Sequence, residues 1–212
     1  MKMKKSVKIV LIVIVLLILV GCGVGGYYFF FKKEPAPETP IKEIEVTNTI
    51  DQFGYTLEDR DTDLFVEKFN ELKELLNQEE YDVKEYISLI SQLFVIDLFT
   101  IDNKMSRYDV GGLEYVYSGA VSSFQTVAEN SIYKTVENNL DDSRTQQLPE
   151  VSSVTISVLD ETTFTMPDES VVNGYRVKLS WTYQENLGYD TNGSIILIPD
   201  GEKYGVVYFD SN

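Results

Sequence analysis

Residues 171–183 read VVNGYRVKLSWTY, and the alternation in this stretch decides the fold class. Its large side chains fall at every second position: Tyr175, Val177, Leu179, Trp181 and Tyr183. Successive side chains of a β-strand point to opposite faces of the sheet. The stretch therefore predicts a strand with one buried face and one solvated face.

Three further stretches, at 151–164, 189–198 and 203–209, show comparable alternation. Pro199-Asp200-Gly201 predicts a tight turn between the last two, and Asn186-Leu187-Gly188 predicts the reversal before them. Strands joined by short turns pair with their neighbours in antiparallel fashion. The C-terminal half is therefore predicted to form an antiparallel sheet of about four strands.

Residues before the strands have a helical period instead. Amphipathic helices are predicted over 62–77, from Asp82 through an almost wholly apolar end at 94–99, and over 122–140. The third helix carries one apolar stripe: Phe124, Val127, Ala128, Ile132, Tyr133 and Val136. Between helices, 102–112 predicts a loop and 113–117 a short strand or helical turn.

Helices followed by an antiparallel meander predict an α+β domain, with the helices covering one face of a curved sheet. This element order, over residues 55–209, resembles the nuclear transport factor 2-like (cystatin-like) superfamily, which implies a cone-shaped domain. LFVIDLFTIDNK at 93–104 and YDVGGLEY at 108–115 also resemble an uncharacterised group of Gram-positive single-pass membrane proteins. That resemblance implies topology and fold, and it brings no activity and no functional residue.

The N-terminal segment predicts a membrane anchor. After a basic tail at 1–8, residues 9–31 contain no charged side chain, and such a helix is about 34 Å long, enough to span a bilayer. Four lysines precede the span and only two follow it, so the tail is expected in the cytoplasm and the rest outside. Alternatively, Leu19-Val20-Gly21-Cys22 resembles a lipobox, which implies a lipoprotein acylated at Cys22.

A Pro- and Glu-rich linker is predicted over 32–54, followed by an extracytoplasmic domain over 55–212. Residues 34–212 carry 12 of the 18 basic side chains and all 34 acidic ones, a net charge of −22. A field of this sign repels phosphates, so no nucleic-acid partner is expected. The expected partners are the membrane, through the N-terminal helix, and a protein of the cell envelope.

The chain has no histidine, and its only cysteine is Cys22. These absences exclude disulfides, Cys/His zinc sites and His-dependent catalytic triads, and we expect no cofactor. Asp59, Asp61 and Asp63 have the spacing that opens a calcium-binding EF-hand loop, but its glycine and terminal glutamate are missing. We therefore expect these acids to cap the following helix instead.

Asp97 lies among apolar neighbours, so its carboxylate needs hydrogen-bond partners, and a catalytic acid would have the same sequence context. The favoured interpretation is structural, with bonds accepted from a loop such as 108–112. Tyr175, Trp181 and Tyr183 are interpreted as core residues, and alternatively as the lining of a ligand cavity. No catalytic, cofactor or metal residue is assigned.

Three functions are compatible with these patterns. The leading hypothesis is a binding or scaffold module at the outer membrane face, similar in layout to type IV secretion scaffold subunits, which requires an exposed apolar patch or sheet edge. The alternative is a small-ligand-binding cone. The third is a carboxylate enzyme, which requires Asp97 and a second acid in one pocket; the chain is expected not to be an enzyme.

Overall fold

The computed structural model describes residues 43–212, so the predicted tail at 1–8, the helix at 9–31 and Cys22 lie outside the described residues. Residues 43–212 form an α+β fold in which three helices pack on a four-stranded antiparallel sheet, as predicted. The elements, in order, are β1 (Val46–Ile50), β2 (Tyr55–Glu58), α1 (Asp63–Leu76), α2 (Val83–Phe99), α3 (Val121–Asn130), β3 (Val151–Thr165), β4 (Val171–Tyr183), β5 (Asn192–Asp200) and β6 (Lys203–Ser211). No helix in this part of the chain has both the length and the apolar character needed to cross a membrane.

The main sheet has the strand order β3-β4-β5-β6, so each strand pairs with its neighbours in the sequence. The predicted turn between β5 and β6 is confirmed: Asp200 pairs with Lys203, and Gly201 has a φ of +66°. A positive φ is strained for residues with a Cβ, so glycine suits this position. The alternation along β4 is confirmed as well, since Val177, Leu179 and Trp181 are buried while the residues between them are exposed.

Helix α2 is the centre of the core. Its last turns are buried on nearly all sides because α1 packs on one side and the sheet on the other. The ring of Phe99 lies 4.6 Å from that of Trp181 on β4, and the ring of Phe94 lies 5.5 Å from that of Phe209 on β6. Aromatic contacts of this kind stabilise a core by more than the burial of apolar area alone does.

Helix α3 ends at Asn130, ten residues before the end predicted at 140. Two polar side chains at its end donate to carbonyls one turn back: Asn130 Nδ2 to Thr126 O at 2.7 Å and Ser131 Oγ to Val127 O at 2.7 Å. Such bonds compete with continuation of the helix. The chain then turns, and Tyr133 and Val136 become buried without helical structure.

Part of the predicted linker at 32–54 belongs to the folded domain, because β1 lies inside this stretch. Strands β1 and β2 form a separate two-stranded antiparallel sheet. The fully buried Tyr55 joins this hairpin to the core: its ring stacks on Tyr115 at 5.0 Å, and its hydroxyl lies 2.7 Å from that of Tyr86.

Residues 113–117 contain both of the predicted alternatives. Leu113–Tyr115 is a single 3-10 turn, and Val116 then makes a parallel bridge with Val206 on β6.

Candidate functional site

Asp97, the carboxylate expected from its sequence context to need hydrogen-bond partners, is half-buried and lies in a polar cluster. Lys104, whose side chain is 2% exposed, places its Nζ 2.5 Å from Asp97 Oδ1. The backbone N–H of Gly112 donates to Asp97 Oδ2 at 2.6 Å. Both carboxylate oxygens are therefore used to hold the loop that follows α2, which agrees with the structural interpretation.

The paired glycines of that loop allow it to approach α2 closely. A Cβ on Gly111 would lie 2.1 Å from the carbonyl oxygen of Asp97, and Gly112 has a φ of +79°. The N–H of Gly111 donates to the hydroxyl of Tyr133, which in turn donates to Leu98 O at 2.7 Å. A larger residue at position 111 would separate the loop from the helix.

Arg60, in the turn between β2 and α1, makes the second ionic contact with the same loop. Its guanidinium donates to both carboxylate oxygens of Asp109 and, at 2.6 Å, to Glu58. Burial alone would raise the pKa of Asp109, but hydrogen bonds from Arg60 and from the Met105 N–H hold it below its ordinary value. Two-oxygen contacts between arginine and carboxylate are geometrically specific, so this pair sets the position of the loop.

Two further acids in the cluster have no cationic partner among the described residues. Glu114 accepts bonds from the N–H and the hydroxyl of Thr56, and burial raises its pKa. Asp61 accepts a 2.7 Å bond from the Glu58 N–H, and burial together with the charge of Asp97 raises the pKa of Asp61 to about 6. Both carboxylates therefore bind protons more readily than free side chains do.

These groups surround a cavity of about 170 Å³, here called the polar cavity. Its charged lining consists of five acids and two bases: Glu58, Asp61, Asp97, Asp109, Glu114, Arg60 and Lys104. Within residues 43–212, no group of three or more acids has an arrangement that could hold a metal ion. The cavity joins β2 and the turn after it to α2 and the loop that follows α2, so its ionic contacts hold these segments together.

The three acids expected to cap α1 do not act together. The cap is Thr62, whose side chain accepts from the Phe65 N–H, while Asp63 contributes its charge in the first turn. Asp59 accepts from the Glu45 N–H and Asp61 from the Glu58 N–H, so both close backbone turns instead. The prediction that these aspartates cap α1 is therefore wrong, because the N-cap position falls on Thr62, one residue after Asp61.

The three strand aromatics considered for a ligand cavity lie in different places. Trp181 is 2% exposed and packs on Phe99, and its Nε1 donates to the Tyr183 hydroxyl at 2.8 Å. Tyr175 lies near the other end of β4, where its ring packs against Tyr204 at 5.7 Å. The three rings do not line one common cavity, and Trp181 is a core residue.

An apolar surface depression lies between α3 and β6 and is here called the α3–β6 groove. It measures about 240 Å³ and is lined almost wholly by apolar side chains: Val116, Ala120, Ser123, Phe124, Val127, Val206, Val207, Tyr208 and Phe209. Val127 is 66% exposed and Tyr208 45% exposed. Val127 belongs to the apolar stripe of the predicted helix but faces water, because Ala128 and Phe124 form the packing face of the short α3.

Strand β6 is an edge of the main sheet, and its outer side is only partly paired. The Tyr117 N–H donates to Val206 O at 2.9 Å, and no described residue pairs with the outer side of β6 beyond that point. The opposite edge strand, β3, has two bulges, at Ser152 and Ser157, and then Asp160 and Glu161. Bulges and charges protect sheet edges, and β6 has a single bulge, at Val207, and no lysine or proline after it.

Sequence reasoning missed most of the polar cavity and the whole groove. The need of Asp97 for hydrogen-bond partners indicated the loop at 108–112, and the Gly112 N–H is such a partner. Nothing in the sequence indicated the ion pair with Lys104. No local pattern linked Arg60 to Asp109 or Thr56 to Glu114, since these partners lie 49 and 58 residues apart.

Comparison with known proteins gives no match for this chain, whether with family models, with curated proteins or with solved structures.

Proposed function

We propose that this chain is a membrane-anchored binding module whose domain captures an envelope protein at the α3–β6 groove. The predicted helix at 9–31 tethers the domain, and the domain acts outside the cytoplasm without catalysing a reaction. The cone shape expected from the nuclear transport factor 2-like resemblance is part of the same proposal.

The observation that carries this proposal is the exposed apolar lining of the groove. Contiguous apolar surface is costly to leave in water, and on soluble domains it is typical of interaction sites. Val127 and Tyr208 contribute from two different elements, so the exposure is not that of one isolated side chain. An aromatic residue beside aliphatic ones is the composition favoured at protein interfaces.

The acidic character of the domain supports a protein partner of complementary charge. Helix α3 and residues 204–211 contain no basic side chain, whereas Glu129 lies two residues after Val127 and Asp210 directly follows Phe209. Complementary charge raises the association rate and suppresses incorrect partners. We therefore expect a partner segment with basic residues beside its apolar ones.

The other two hypotheses have weaker support. A small-ligand cone needs a cavity lined by the strand aromatics; Trp181 and Tyr183 border one surface depression, but Tyr175 does not and Trp181 is only 2% exposed. A carboxylate enzyme needs Asp97 and a second acid in one cavity; Asp61 is such an acid, but Asp97 already binds Lys104 and Gly112. A carboxylate engaged at both oxygens is poorly placed for proton transfer.

The proposal is tested by photocrosslinking in intact cells of the native host. A photoreactive amino acid replaces Val127 or Tyr208 in the full-length chain, and adducts are identified by mass spectrometry. Lys178 serves as the control site because it is exposed on the face of β4 opposite the buried Val177 and Leu179.

We expect the same polypeptide in adducts from Val127 and from Tyr208, and its absence from adducts of the Lys178 probe. Adducts of equal yield at all three sites, or adducts with no polypeptide in common between the two groove sites, would overturn the proposal.

A further inference from the structure

The outer side of β6 offers backbone groups as well as apolar side chains. Asn212 and Asn192 exchange backbone hydrogen bonds, so Asn212 faces β5. Because hydrogen-bonding direction alternates along a strand, the N–H and C=O groups of Phe209 and Ser211 face away from the sheet. No described residue bonds to them.

The first part of this edge is already used for strand-like pairing. Val116 makes a parallel bridge with Val206, and the Tyr117 N–H donates to Val206 O. The chain then leaves the edge through the 3-10 turn Ser118–Ala120 and enters α3. An added strand beside Val207–Ser211 would extend the pairing that Val116 makes with Val206, and it would lie next to α3.

We infer that the partner supplies an extended segment that adds to β6 as a fifth strand of the main sheet, and this inference rests on the proposed function. Its backbone pairs with Phe209 and Ser211. Its apolar side chains, at alternate positions, enter the groove between β6 and α3. Strand addition of this kind combines backbone bonds for affinity with side-chain contacts for specificity.

The charge beside the edge of β6 restricts which residue types the added partner segment can carry. The exposed Asp210 lies between Phe209 and Ser211 and belongs to the opposite face of the strand from Phe209. An added strand would therefore place its groove-facing residues against apolar surface and its outward residues beside an acid. The fitting segment alternates apolar with basic or polar residues.

The test uses the Val127 photoprobe in the full-length chain, because that site is on α3 and not on the edge. Ser211→Pro removes the outward N–H and places a ring where the added strand would lie, and proline is tolerated in edge strands whose N–H faces solvent. Ser211→Ala is the matched control, because it loses the same hydroxyl bond to Asp190 but keeps the N–H.

We expect Ser211→Pro to lower the yield of the adduct at least fivefold and Ser211→Ala to change it less than twofold. Equal yields from both variants would overturn strand addition while leaving the proposed function intact. Absence of the adduct in the chain that carries the Val127 photoprobe and keeps Ser211 would overturn the proposed function itself.

A second measurement covers the case in which Ser211→Pro unfolds the domain. In the chain that carries the Val127 photoprobe and keeps Ser211, amide hydrogen exchange of residues 207–212 is compared before and after crosslinking. Strand addition predicts exchange at Phe209 and Ser211 slowed at least tenfold in the adduct, since exposed edge amides become hydrogen-bonded. Unchanged exchange there would contradict strand addition.

Discussion

The polar cavity and the α3–β6 groove show two opposite ways of placing side chains. In the cavity, charged groups that prefer water are withdrawn from it, and nearly every one has a specific partner. In the groove, apolar groups that prefer the interior are left at the surface without one.

The energetic consequences differ accordingly. Buried charges are costly unless they are paired, so loss of one partner in the cavity is expected to destabilise the fold. Exposed apolar side chains contribute little to folding, so their removal is expected to affect binding alone. The cavity is therefore interpreted as a structural device and the groove as a functional one, and substitutions in each can break this distinction.

The largest expected effect follows replacement of Lys104. Lys104→Met leaves the Asp97 carboxylate without its cation, and breaking a buried ion pair in this way costs about 3 to 5 kcal/mol of unfolding free energy. Urea unfolding of the full-length chain in mild detergent measures the loss. Lys178→Met, at an exposed lysine, is the control and should change stability by less than about 0.5 kcal/mol. A similarly small loss of unfolding free energy at both lysines would show that the ion pairs of the cavity do not stabilise the fold.

A slightly smaller loss is expected when the loop is pushed away from α2. The Cβ introduced by Gly111→Ala would overlap the Asp97 carbonyl, and such overpacking against backbone costs about 3 kcal/mol. Gly188→Ala is the comparison, because its φ of +79° strains alanine but its surroundings are open, which costs about 1 kcal/mol. Equal losses of unfolding free energy for the two variants would show that the close approach of Gly111 to Asp97 has no energetic consequence.

Asp61→Asn is expected to stabilise the domain, and only near neutral pH. The folded state raises the pKa of Asp61 from 3.8 to about 6, so it binds this proton more tightly than the unfolded chain does. Stability is therefore lost as the pH rises from about 4 to about 6, and the penalty persists above that range. Because the side chain is partly exposed, solvent screening limits the gain at pH 7.5 to about 1 kcal/mol.

Thermal unfolding at pH 4 and at pH 7.5 distinguishes this effect from a simple change of charge. Asp59→Asn removes one negative charge from the same turn at an exposed position and serves as the reference. A gain for Asp61→Asn of equal size at both pH values would show that the raised pKa is not its cause.

The smallest change in stability is expected in the groove. Val127→Ser removes exposed apolar surface, so the unfolding free energy should change by less than about 0.5 kcal/mol. The same substitution at the buried Val136 should cost about 2 kcal/mol or more, because it places a hydroxyl in the core. With the photoprobe moved to Tyr208, Val127→Ser should nonetheless lower the yield of partner adduct. A large loss of stability at Val127 would mean that the groove is part of the core.

Much of the fold could be predicted because periodic segments report their own structure. The alternation along β4 and the apolar spacing along α1 required no knowledge of their neighbours. The end of α3 could not be predicted, since the apolar residues Tyr133 and Val136 continue a helical spacing while packing in a non-helical segment. The β1–β2 hairpin was missed because its burial depends on Tyr55 meeting Tyr86 and Tyr115 from elsewhere in the chain.

The sequence by itself determined the α+β class, the antiparallel order of four strands, the tight turn at Gly201 and the need of Asp97 for partners. Each of these depends on the spacing or chemistry of residues close together in the chain. Only the tertiary structure decided which charges meet in the polar cavity, that Val127 faces water and that the outer side of β6 is unpaired beyond Val206. These features depend on which distant segments pack against one another, and side-chain type alone does not encode that.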